Sequence, residues 1–160
     1  MAVDYFLKID GIPGESKDSK HADEIDVSSW SWGETNMGTF AGGGGGGAGK
    51  VTMQDFHFTM QMNKATPKLM LHCADGTHIP KAVLIARKAG GDQQEYLKIT
   101  FSDMLVSSYQ MGGAGGGEIG FDQISLNYAK IEFEYKEQKK DGSLGGAIKA
   151  GFDLKKMVKI

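Results

Sequence analysis

Cysteine is nearly missing from this sequence. Its single thiol, Cys73, excludes an internal disulfide and any metal site built from several cysteines, and suits a reducing compartment. Proline is scarce too, with three residues. No apolar run approaches the roughly 20 residues that would span a bilayer, so no membrane insertion is expected. An excess of one charge is absent: 18 basic against 20 acidic residues leave a formal charge of −2, which provides no electrostatic footprint for nucleic acid. The opening Met1-Ala2-Val3-Asp4-Tyr5 carries neither a basic n-region nor an apolar h-region, so no secretory signal is expected there.

Glycine is what the chain has instead. It supplies 24 of 160 residues, about twice the usual share of roughly 7%. The glycines are clustered, which predicts a folded domain with glycine loops and not a disordered chain. The length suits one domain, 1–160, with a sizeable core.

Both tryptophans fall in one strand-like run, 24–33, whose sequence is EIDVSSWSWG. Residues two apart share a strand face, so Trp30 and Trp32 point one way while Ser29, Ser31 and Gly33 point the other. Two neighbouring indoles bury a large apolar area and are expected to anchor a β core. Ser29 and Ser31 then look out of the opposite wall.

The remaining pattern is mostly of period two. Strands are expected at 3–9, 51–62, 79–87, 95–109 and 119–135, with a short one in the tail at 148–158. Thr66-Pro67 reads as a capped helix start, and a short helix is expected to reach about Ala74 before Asp75-Gly76. Glycine loops lie at 34–50 and 112–117. Three strands change apolar phase partway: Met53 to Phe56, Phe101 to Met104, and Tyr128 to Ile131. Such slips mark bulges or strands buried on different faces along their length. Long strands that bend this way close a sheet or pass between two. The fold class is therefore mainly β: a two-sheet β-barrel with one short α-helix packed alongside.

Little in the chain resembles reaction chemistry. Gly44 to Lys50 spells G-x-x-x-x-G-K, but a phosphate loop needs Ser or Thr next and then a helix. Val51 follows, in a strand-like segment. His72, Cys73 and His78 cluster in sequence without a fourth ligand at a zinc spacing, so no metal or other cofactor is expected. Asp55 and His57 share a strand face and could form a dyad, yet no nucleophile motif accompanies them. A cross-strand polar pair is the plainer reading, and no enzyme is expected. A small-ligand barrel would need an apolar cavity, whereas the many large apolar residues predict a filled interior. The methionines read as core gap-fillers or as adaptable subunit contacts.

The segments MAVDYFLKI at 1–9, GES at 14–16, EIDVSSWSWG at 24–33, GAGKV at 47–51, KATPKLM at 64–70, RKAGG at 87–91, EYL at 95–97, VSS at 106–108 and LNY at 126–128 together resemble the Hcp (haemolysin co-regulated protein) family of bacterial type VI secretion. They occur in the family's order. The resemblance implies a two-sheet barrel with one helix, assembling as a homo-hexamer whose rings stack into the inner tube of a contractile injection machine. It implies effectors held in the ring pore, with spike protein and contractile sheath as further partners. It also implies assembly in the bacterial cytoplasm and export through the machine, to the extracellular space or a target cell, without a signal peptide. By position, the loop carrying Gly42, Gly43, Gly44, Gly45, Gly46, Gly47 and Lys50 is expected at a subunit or ring interface, and Ser31 and Ser29 near the pore, in contact with effector.

Overall fold

The structure, a computed structural model, describes residues 2–38, 40, 46–47, 49–89 and 93–160. Among these the chain forms, in order, β1 (Val3–Ile9), β2 (Ile25–Asp26), β3 (Ser29–Ser31), β4 (Glu34–Asn36), β5 (Val51–Met53), β6 (Phe56–Gln61), α1 (Thr66–Asp75), β7 (Ile79–Lys88), β8 (Glu95–Gly112), β9 (Phe121–Gln138), β10 (Leu144–Asp153) and β11 (Val158–Lys159).

Two sheets share the longest strands. One runs β2-β1-β7-β8-β9-β10-β11. The other takes the C-terminal part of β8 and the N-terminal part of β9, then adds β6 and β3. β8 and β9 pass from one to the other because their apolar phase steps by three residues at the same level. Phe101 faces Ile131 and Met104 faces Tyr128, so the register survives the bend. Asp103 absorbs the turn with φ 53°, and the carbonyl of Ala129 accepts the Leu154 amide at 2.8 Å. The mainly β, two-sheet class read from the sequence is the one observed.

The first phase slip has a different origin. Residues 51–62 are not one bent strand: β5 pairs with β4, in a two-stranded sheet of its own, while β6 pairs with β3 and β9. The break falls where Gln54 donates its amide to Gly33 at 2.9 Å and accepts the Tyr128 hydroxyl at 2.8 Å. The expected tail strand is likewise a hairpin of β10 and β11.

The run 24–33 divides as well. Val27 donates to the Tyr5 carbonyl on β1 at 3.0 Å, and Ser28, the next residue, to Thr59 on β6 at 2.8 Å. Consecutive amides thus serve opposite sheets. Among the described residues no ladder closes the barrel; the covalent chain crosses that gap.

The core centres on Phe56, Phe58 and Phe101, each no more than 1% exposed and each contributing about 1.5–3 kcal/mol by burial. The tryptophans cap this core and stay half-buried. Trp30 lies 5.8 Å from Tyr5 and 6.1 Å from Phe56, ring to ring, and Trp32 lies 5.3 Å from Phe133. The Trp32 indole N–H donates to the Tyr128 hydroxyl, which burial pushes up to about 12.

Helix α1 begins as the Thr66-Pro67 pair suggests, but Thr66 does not cap it. Ala65 holds that position without a side-chain bond. The Thr66 hydroxyl accepts from the Asn63 amide at 3.1 Å and donates to Asp122 at 2.6 Å. Asp122 is fully buried and also accepts the Tyr109 hydroxyl at 3.0 Å. A buried carboxylate without donors would cost far more than an unfilled cap, so it takes the threonine. Gly76 ends the helix at φ 69°, a conformation that favours glycine.

The loop before β2 is pinned from within. Arg87, buried on β7, forks onto Asp18 at 2.9 and 2.9 Å and reaches Asp4 at 3.3 Å. Its guanidinium lies over the Phe6 ring at 4.7 Å. Donation from Arg87 holds the Asp18 carboxyl at about 2, below its usual 3.8.

Candidate functional site

Strand pairing assembles two polar rows across β3, β6, β9 and β8. Ser31 pairs with His57, His57 with Ser125, and Ser125 with Ser108. One step along, Ser29 pairs with Thr59, Thr59 with Gln123, and Gln123 with Gln110. These eight side chains line a concave cleft of about 430 Å³. Among the described residues no Lys, Arg, Asp or Glu lines it. Ser29 and Thr59 hydroxyls meet at 2.6 Å, and His57 Nδ1 lies 2.6 Å from Ser125 Oγ. The opposite face of the same strands carries Phe56, Phe58, Ile124 and Leu126, all buried, which is why the polar side chains can only point outward.

A bulge completes the face. Val106 pairs with Leu126, but Ser108 pairs with Ser125, so one residue is extra. Alternation alone would send Ser108 to the buried side with Val106. The bulge turns Ser108 and Gln110 into the polar face instead. Ser107 donates to Asp55 Oδ2 at 2.6 Å, and Asn127 to Asp55 Oδ1 at 2.9 Å, clamping the bulge in place. Asp55 and His57 therefore form no dyad: Asp55 accepts from Ser107 and Asn127, while His57 Nδ1 bonds Ser125. Ser29 and Ser31 lie on the expected outward face, both exposed. Their six companions were visible only as polar residues alternating with apolar ones, a signal any solvated face would give.

The second feature is an arm. Among the described residues β4 and β5 pair only with each other, and the Gln54–Gly33 bond closes the arm at its base. Asn36 Nδ2 donates to the Gly49 carbonyl at 2.8 Å. A Cβ on Gly49 would come within 2.3 Å of the Met37 carbonyl, so side chains are excluded from that crossing. Met37 is 83% and Phe40 82% exposed. Of the glycine run expected at an interface, Gly42, Gly43, Gly44 and Gly45 lie outside the described residues. Gly46, Gly47 and Lys50 belong to the arm's return path. Strand β5 follows Lys50 directly, where a phosphate loop would lead into a helix.

Elsewhere, Cys73 packs half-buried against the core. Among the described residues no three His, Cys, Asp or Glu side chains converge as a metal site would require.

The described residues thus form a two-sheet β fold with one uncharged concave wall and a separate β4–β5 arm. A family model described as "Type VI secretion system effector, Hcp" matches residues 6–135. Protein hcp1 of Pseudomonas aeruginosa strain PAO1 is 49% identical over 160 residues, 99% of each chain. Hcp1 of Salmonella typhimurium superposes with a TM-score of 0.82 at 39% identity, covering 100% of both chains. A structure described as a type six secretion system protein superposes with a TM-score of 0.94 at 33% identity, covering 99% of this chain and 100% of the other. The chain belongs to the Hcp family of the type VI secretion system.

Proposed function

We propose that this chain builds the type VI inner tube: six copies close into a ring, rings stack, and the polar face lines the pore and holds effector. The observation that carries this reading is the four-stranded polar sheet, β3-β6-β9-β8, whose two lateral edges differ. β3 ends one side. On the other, β7 leaves β8 after the Ile79–Met104 pair, so residues 105–112 meet no further strand among the described residues. An edge strand offers unpaired N–H and C=O groups to another chain. β3 and β8 run in opposite directions within the sheet, so β8 of one copy beside β3 of the next would continue the antiparallel order. Such an interface is heterologous, and it makes a ring if the rotation closes. The concave face would then look inward.

The arm, with its exposed Met37 and Phe40, supports contact with a neighbouring ring, and its small polar and glycine content suits stacking weaker than ring closure. Nothing in this activity asks for covalent chemistry. Sedimentation at micromolar concentration is expected to give six times the chain mass; a stable monomer would sink the reading. Ser31→Arg should keep rings intact in negative stain and lower the amount of effector co-purified. Unchanged co-purification would make Ser31 a strand residue only.

A further inference from the structure

The eight residues of the two polar rows include one titratable side chain, His57. With Nδ1 engaged by Ser125 Oγ at 2.6 Å, Nε2 is the atom a bound group would meet. Ser31 and Ser125 flank the ring on the neighbouring strands; Asp55 lies two residues before His57, just ahead of β6, and Thr59 two residues after it. Asp55 is the sole charged group among these neighbours. Both its oxygens already accept from Ser107 and Asn127, so it does not compete for the imidazole at close range. Among the described residues no charged side chain lines the cleft itself.

We propose that His57 makes this face an acid-gated anion surface that takes acidic peptide segments. Resting on the ring reading, the proposal names the regulation of the same site. With the imidazole neutral, the wall offers hydroxyls, amides and one uncharged ring, and it grips a passenger by hydrogen bonds alone. Histidine is the side chain whose charge ordinarily changes between about pH 5 and 8. Once protonated, Nδ1–H donates to Ser125 Oγ and Nε2–H carries a charge-assisted donor to the cleft. Serine hydroxyls on both sides, Ser31 and Ser125, add donors to a carboxylate placed there. In a ring the charge would appear once per copy around the pore, with the Asp55 carboxylate two residues away and held by Ser107 and Asn127, so its effect on an acidic segment would add from copy to copy.

The test uses the intact protein and two labelled probes: an oligo-aspartate peptide and a Gly-Ser repeat of equal length. Fluorescence anisotropy is recorded at pH 5.5 and 7.5 at fixed ionic strength, with sedimentation run at each pH. Oligo-aspartate should bind more tightly at the lower pH by roughly five-fold or more, five-fold being the upper end for one exposed ion pair. The Gly-Ser probe should show no step. His57→Gln, which keeps a polar side chain able to bond Ser125, should abolish the step; His78→Gln, at the exposed His78–Asp103 pair away from the cleft, should retain it. Rings that form normally but show no step, or a step that survives His57→Gln, would overturn this proposal and leave the ring reading standing. A chain that sediments as a monomer at both pH values would overturn the ring reading, and with it the pore role given to His57.

Discussion

Single residues in this protein do their work through the groups they oblige to pair. Asp18 is the plainest case. Its carboxyl sits at about 2 against an ordinary 3.8 because Arg87 donates to both its oxygens. A depressed carboxylate contributes stability above its unfolded value, and that stability is lost as pH falls through the folded one. The wild-type urea midpoint should therefore drop between about pH 4 and pH 2. Asp18→Asn should be less stable at neutral pH and lose less across that interval. Equal slopes for the two proteins would show that the Arg87 fork does not govern acid stability. Phe56 makes the apolar counterpart. It is fully buried, with Phe101 at 4.7 Å and Trp30 at 6.1 Å. Phe56→Ala should cost about 3–5 kcal/mol by chemical denaturation; a loss below about 1 kcal/mol would mean the aromatic cluster closes over the cavity.

Among the elements, the arm stands apart because its strands pair, among the described residues, with nothing but each other. Replacing residues 34–52 by an Asn-Gly turn should shift folding stability by no more than about 1 kcal/mol, since the Gln54–Gly33 base and Met53, which packs against the core, lie outside the deleted segment. Ring stacks should disappear from negative stain while the chain still melts cooperatively. Stacks of normal length without the arm would remove it from the assembly. Much of this architecture was legible in the sequence, for physical reasons. Matched three-residue steps at Phe101–Met104 and Tyr128–Ile131 can arise only if both strands change faces together, so the two-sheet bend showed through. The division of 51–62 did not, because a phase slip looks the same whether the strand bulges or stops. The bulge at Ser107 was hidden by serines at 107 and 108, which are tolerated on either face. Thr66 misled because a Thr-Pro pair reads locally as a cap, whereas its partner Asp122 lies 56 residues away. Ser29 and Ser31 were placed on the correct side of their strand. The row that Ser31 shares with His57, Ser125 and Ser108 is a matter of register, which composition does not encode.

At the scale of the whole molecule, a chain of formal charge −2 with a neutral concave wall has little electrostatic reason to associate. Ring closure through strand edges should then withstand salt, while contacts between rings made by small polar loops should weaken. Raising salt from about 0.1 to 1 M contracts the screening length from about 10 to 3 Å. The sedimenting ring should keep its mass and the stacks should shorten; rings that fall apart first would reverse the assigned order of strengths. Finally, the paired anchorage at Val27 and Ser28 has a mechanical outcome. Two adjoining peptide groups, about 3.8 Å apart along the backbone, are fastened to strands on opposite flanks. Tension pulling on either flank is handed to the other within one link of the chain, so the unsealed seam resists sliding under load.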